Sequence, residues 1–585
     1  MACKYMTKAE LKKLIDVAAG RRTADAVIKN AKIIDVFNGS IMEGDIAFSD
    51  GNIAGVGQYK GESEHDADGC YAAPGFIDSH IHIESSCVTP EELGRLLVPY
   101  GATTIVADPH ELVNVKGMDG MVYMLEAAKE TALDIKYMLP SCVPATPFEN
   151  AGGSIEAEDI REGLKDHQTF GLLGLAEFMD YPGVINATDF ALERLLAARE
   201  AGVPIDGHSP RVFDNILNAY AAGGISTDHE CTTVKEMLQR ISRGMYVLMR
   251  NGSACQDLEK LLAAVTPENN ARCLLCSDDR QLKTIFEKGH LDDHLSVCVA
   301  NGIDPITAVR MATLNAAECF GMRDRGAISP GRRADIVLLE DLTQFKAAKV
   351  FIKGRLTADS GKYLPPVTRK DISAMQSSFR VKDFSVEKLK LSLKSDKVHT
   401  IELIPGGVTT KKSIAQVKLD SSGDFVRDES VDIVKIAVVE RHQNTGNVAV
   451  ALLQGYGIKT GALALSVAHD SHNIITAGTT DADMAFAVKE LIAQNGGIVL
   501  VNDGVVLESM PMPVGGIMSD REGEWVDKKL TSIHDIAHRV LGISDKAEPV
   551  MTLCFMALPV IPELKLTDKG LFDVTKFDFI SVEAE

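Results

Sequence analysis

From Pro74 to about Met322, short apolar runs alternate with longer stretches in which apolar residues recur at helical spacing. The short runs are GFIDSHIHI, ATTIVADPH, IKYMLPSCV, GLLGLAEF, VPIDGHSP, GISTDHE, GMYVLMRNG and ARCLLCSDD. Each has the length of a strand and is followed by enough sequence for a helix. Eight such alternations within roughly 250 residues predict a (β/α)₈ barrel. Polar and ionisable residues gather at the C-terminal end of these runs, where barrel enzymes build their sites.

The flanks read differently. Residues 24 to about 72 carry short alternating runs, with Asp50-Gly51 as a hairpin turn between two of them. After the barrel, GAISPGRRADIVLLEDLTQFKAAKVFIKGR returns to β character and is expected to complete the same small sheet. Beyond about residue 370, charge-rich strand patterns (VHTIELIPGG, VDIVKIAVVE) and then Gly-rich segments follow. The expected chain is therefore α/β in class. It has an N-terminal helix at 1–22, a composite β-sandwich from 23–73 and 323–370, the barrel at 74–322, and an α+β C-terminal domain at 371–585. No internal repeat or low-complexity segment interrupts this plan.

With 585 residues the chain exceeds one ordinary core, in keeping with several domains. Its formal net charge of −21 argues against nucleic-acid and anionic-membrane partners, and leaves a small neutral substrate open. The opening segment lacks the apolar core of a secretory signal, and no apolar run reaches the ~20 residues of a spanning helix. Eleven scattered cysteines point to a reducing, cytoplasmic setting. Cys273 and Cys276 form a lone CxxC, read as structural because no second pair accompanies it.

The candidate chemistry lies at the strand ends. His80 and His82, two apart in an extended run, can present both imidazoles to one metal ion. Glu177 closes an otherwise apolar run, and a buried carboxylate requires a partner such as a cation. His208 and His229 close two further runs, and Asp278 the last. Six mixed nitrogen and oxygen ligands favour two ions over one, and suit manganese, iron or zinc better than calcium.

At PGFIDSHIHIE, at the single histidines of the fifth and sixth runs, and at the SD of the eighth, the chain resembles the amidohydrolase superfamily. Within it, DSHIHIESS, VADPHELVNVKG, GLAEFMD, GHSP, TDHE and CSDDR resemble the bacterial adenine deaminases, as do VVERHQNTGN, SVAHDSHN and PVGGIMSD near the C-terminus. Many two-metal members bridge their ions with a carbamylated lysine on the fourth strand. No lysine lies there in this chain, and Glu177 takes the place, as the adenine deaminase resemblance implies.

That resemblance implies hydrolysis of adenine at C6 with two divalent ions, Mn²⁺ first and Fe²⁺ or Zn²⁺ as alternatives, and a homodimer as a family-level expectation. His80, His82 and Glu177 are expected on one ion, and Glu177, His208 and His229 on the other. The ions lower the pKa of water and so supply hydroxide. Asp278 is expected to contact a metal and to act as general base, then acid. Glu84, continuing the 80, 82, 84 alternation, is expected to protonate the purine ring. Asp108 and His110 are expected to hold the purine edge or to orient ligands. The competing readings are a cyclic-amide hydrolase, a deaminase of guanine or 6-methyladenine, and a non-enzymatic barrel. The compact His469, Asp470, His472, Asn473 group is read as a structural or pocket-closing loop in preference to another metal site.

Overall fold

The computed structural model describes residues 6–165, 167, 171–253, 255–376, 379–405 and 408–584. The first five residues of the predicted N-terminal helix, and Gly406 and Gly407 of the VHTIELIPGG run, lie outside the described residues. The helix spans Lys8–Ala18 and begins on a capping box. Thr7 Oγ1 accepts from Glu10 N–H at 3.2 Å, and the Glu10 carboxylate accepts from Thr7 N–H at 2.7 Å.

Eight parallel strands form the central unit among the described residues. They are β1 Phe76–Ile81, β2 Ala102–Ala107, β3 Asp134–Leu139, β4 Leu172–Phe178, β5 Ile205–Gly207, β6 Thr227–Asp228, β7 Tyr246–Arg250 and β8 Cys273–Cys276. Strands β1 to β5 are hydrogen-bonded in order, as are β6 to β8. At one seam Ser226 N–H donates to Ile205 O at 3.0 Å, and at the other Asp278 N–H donates to His80 O at 2.9 Å. The parallel sheet thus curls round on itself. A sheet covered on both faces has no polar side to show, and every residue of β1, β2 and β8 is buried. That is why these segments read as near-continuous apolar runs. Ile77, Val106, Met138, Ala176, Leu248 and Leu274 pack into one cluster drawn from six of the strands. Cys273 and Cys276 are free and buried in β8, and burial pushes the Cys273 thiol up to about 12.

A nine-stranded sheet draws on both flanks of the barrel segment. Tyr71–Pro74, just before β1, pairs antiparallel with Ile336–Leu339, which follows the barrel helices. Asp50 and Gly51 both have positive φ (48° and 78°), the conformation a two-residue primed hairpin turn demands. Asp134 at the foot of β3 ties barrel to sheet through Arg325, at 2.6 Å, and through Arg333.

The C-terminal part is built on an eight-stranded sheet that includes Lys397–Leu403, Ile433–Val439 and Ile474–Gly478. Helix Asp481–Ala493 packs on this sheet. Helix Gly523–Arg539 lies between the sheet's Val505–Pro511 edge and the barrel helix Leu282–Lys288, so the C-terminal part leans directly on the barrel. Among the described residues no helix is long and apolar enough to cross a membrane.

Candidate metal centre

The C-terminal ends of the strands converge on one buried cluster. His80 lies in β1 and His82 directly after it, and Glu177 is the penultimate residue of β4. His208 and His229 follow β5 and β6 immediately, and Asp278 sits two residues beyond β8. All six are buried. The Glu177 carboxylate stands between two imidazole pairs. Its Oε1 is 3.4 Å from His82 Nε2 and 4.0 Å from His80 Nε2. Its Oε2 is 2.8 Å from His208 Nδ1 and 3.3 Å from His229 Nε2. Asp278 Oδ1 lies 3.2 Å from His82 Nε2, and its Oδ2 lies 3.1 Å from an Arg250 guanidinium nitrogen.

Tautomers test whether this set fits a metal. His80 Nδ1 is 2.9 Å from Asp206 Oδ2, and His82 Nδ1 is 3.1 Å from the Asp108 carbonyl oxygen. A carboxylate and a carbonyl only accept, so both Nδ1 atoms carry the proton and both Nε2 atoms present lone pairs. Those two Nε2 atoms face each other at 3.1 Å. Converging lone pairs repel unless a cation sits between them, and a ligating histidine backed by a carboxylate or carbonyl is the usual metal arrangement. Two groups, His80, His82 and Asp278, and Glu177, His208 and His229, each bring their ligand atoms within 4.8 Å of one another. The residues fit divalent metal.

Burial alone would push Glu177 up, but the facing His229 and His208 outweigh it and hold its carboxyl well below the usual range. Burial opposes ionisation of Asp278, and the Arg250 guanidinium is among the groups that hold its carboxyl below the usual range.

The remaining predicted residues sit close by in different postures. His110 lines the cavity above the cluster, its Nδ1 3.5 Å from Glu177 Oε1. Asp108 stands behind it and accepts from His110 N–H at 3.1 Å. Glu84 departs from the expected geometry. Strand β1 ends at Ile81 and Ile83–Ser86 forms a 3₁₀ turn, so the 80, 82, 84 alternation stops at His82. The Glu84 carboxylate accepts from Leu112 N–H at 3.1 Å and does not line the cavity. Burial, aided by Glu111, pushes it up to about 7.

The cavity is completed from the C-terminal part by His469, Asp470, Phe555, Leu558 and Ile561. His469 Nδ1 and His472 Nε2 each hydrogen-bond one oxygen of Glu111, the residue after His110. The AHDSHN segment therefore closes the pocket.

Comparison with known proteins follows the same outline. The amidohydrolase family profile matches residues 71–357, and the adenine deaminase C-terminal domain matches residues 407–578. Adenine deaminase 2 of Desulfotalea psychrophila is 64% identical over 99% of this chain and 100% of its own length. The chain belongs to the adenine deaminase family. The adenine deaminase of Ligilactobacillus salivarius is 52% identical over 99% of this chain and all of its own. Adenine deaminase 2 of Latilactobacillus sakei is 48% identical over the same shares.

Sequence reasoning missed Asp206, Glu230, Arg250 and Glu111. Asp206 lies two residues before His208 at a strand end, and the same alternation that flagged His80 and His82 was available to flag it. Arg250 closes the apolar run GMYVLMR as Glu177 closes GLLGLAEF, and it binds both Glu230 and Asp278. Glu111 had no comparable local signal, because its partners are more than 350 positions away.

Proposed function

We propose that this chain hydrolyses adenine to hypoxanthine and ammonia in the cytoplasm, with two divalent metal ions and Mn²⁺ as the first candidate. Full-length similarity to adenine deaminases supports the substrate. The observation that carries the two-ion reading is Glu177, with one oxygen toward His80 and His82 and the other toward His208 and His229. In this reading His80, His82 and Glu177 hold one ion, and Glu177, His208 and His229 the other. The chain is divided into helix 1–22, a β-sandwich from 23–73 and 323–370, barrel 74–322 and an α+β domain 371–585, and it assembles as a homodimer.

Divalent ions, when bound, lower the pKa of water and make a nucleophile available near neutral pH. Asp278 accepts the proton of the attacking water and returns it to the amino nitrogen as ammonia leaves. Arg250, on its other oxygen, keeps Asp278 ionised between turnovers. His110 and, behind it, Asp108 hold the purine edge. Glu84, whose carboxyl burial raises above the usual range, is the proposed source of the ring proton, delivered through a group that does line the cavity.

The test is ammonia release by metal-free protein titrated with Mn²⁺, with adenine, guanine, cytosine, adenosine and a hydantoin run in parallel. Turnover of adenine that saturates near two ions per chain supports the proposal. Turnover of another compound in its place overturns the substrate assignment.

A further inference from the structure

Apart from the cluster around Glu177, the described residues contain a group with metal-like composition in Glu111, His469 and His472. Its hydrogen bonds give it a different role. His472 Nδ1 accepts from Ala468 N–H at 3.1 Å, so Nε2 carries the ring proton and donates it to Glu111. A protonated Nε2 has no lone pair for a metal. His469 Nδ1 bonds the other Glu111 oxygen, and its ring stacks on Phe555 with centroids 4.5 Å apart. Further along, Ser471 O accepts from His442 Nε2 at 2.6 Å and Asn473 Nδ2 donates to Asn150 O at 2.8 Å. The loop is thus clamped on both sides of Asp470.

Asp470 takes no part in the clamp. It is 3% exposed and lines the cavity, and its Oδ2 has no hydrogen-bond partner. Its Oδ1 lies 3.8 Å from His110 Nε2. A buried carboxylate oxygen without a donor is costly unless a ligand supplies one. The His110 ring spans the gap between Glu177 and Asp470, so Asp470 stands one imidazole beyond the metal ligands. With the reacting carbon of a purine at the cluster, its imidazole ring would reach toward that wall. The free base carries one N–H on that ring, and a base substituted there carries none. Phe555, Leu558 and Ile561 offer apolar surface for the ring faces.

We infer that Asp470, presented by the Glu111–His469–His472 clamp, accepts the imidazole N–H of the purine and selects free base over nucleoside. The inference rests on the adenine reading above. Removing a hydrogen bond to a charged group should raise the KM for adenine by about 10- to 100-fold in Asp470→Ala. Metal content should stay unchanged and kcat should fall no more than about threefold, with Asp470→Asn in between. In the unaltered holoenzyme, 9-methyladenine and 7-methyladenine, which both lack this N–H, should inhibit at least about tenfold more weakly than adenine binds. Asp470→Ala should narrow that gap.

An unchanged KM in a folded Asp470→Ala would overturn the inference, as would methylated bases that bind the holoenzyme as well as adenine. The ligand series needs no variant, so it decides even if Asp470→Ala fails to fold. Failure of the unaltered protein to deaminate adenine would instead remove the adenine reading itself.

Discussion

His80 and His82 in the barrel, and His469 and His472 in the C-terminal loop, are both buried imidazole pairs set against carboxylates, and one of each pair, His82 and His469, lines the same cavity. For His80, His82 and His472, the nitrogen on the far side of the ring separates them. Behind His80 and His82 stand acceptors, a carboxylate and a carbonyl, which draw the proton outward and free two lone pairs inward. Behind His472 stands a donor, Ala468 N–H, which takes the lone pair and turns the proton toward Glu111. Residue type and spacing are nearly the same in the two places. The neighbour one bond further out decides whether a histidine binds metal or makes a hydrogen bond.

Substitutions should divide along that line. Glu177→Gln replaces a two-sided anion by an amide. It should lose at least one metal equivalent and lower kcat by about a thousandfold or more. Two retained ions with normal turnover would make the two pairs indistinguishable. Asp278→Asn should keep both ions and lose about 100- to 10,000-fold in kcat, as expected for removal of a general acid–base. Normal turnover would take Asp278 out of proton transfer. Glu84→Gln, if Glu84 supplies the ring proton, should cost about 100-fold in kcat, and a change under threefold would leave it only its bond to Leu112.

Glu111→Gln should keep two metal ions and lose about 1–3 kcal/mol of stability, read by denaturant titration, because the clamp loses a charged acceptor. A pH scan sharpens this. Burial opposes ionisation of Glu111, but His469, His472 and His110 outweigh it and hold its carboxyl well below the usual range. A depressed carboxyl contributes stability above its unfolded pKa of about 4.3, and that stability is lost as pH falls through the folded value. The loss of stability below about pH 4 should therefore be shallower in Glu111→Gln than in the unaltered protein. Identical acid profiles would show that the clamp adds nothing.

The sequence made the barrel legible because burial on both faces leaves its strands as apolar runs, and a polar residue at the end of such a run stands out. His80, His82, Glu177, His208, His229 and Asp278 were all visible in this way. Glu84 was misplaced because the alternation argument assumes a strand, and the chain turns into a 3₁₀ turn after His82. The clamp was out of reach for another reason. AHDSHN is conspicuous, but nothing local to it names Glu111, which comes to it only through packing of the C-terminal sheet and its helices on the barrel. Reading the segment as pocket-closing needed no partner, and the structure supplies one.

The most direct measurement is Mn²⁺ bound per chain in the unaltered protein, in Glu177→Gln and in Glu111→Gln, counted by elemental analysis after dialysis. The account predicts two ions in the unaltered protein, at most one in Glu177→Gln and two in Glu111→Gln. A third ion in the unaltered protein that disappears in Glu111→Gln would contradict it, because His469 and His472 would then be ligands after all.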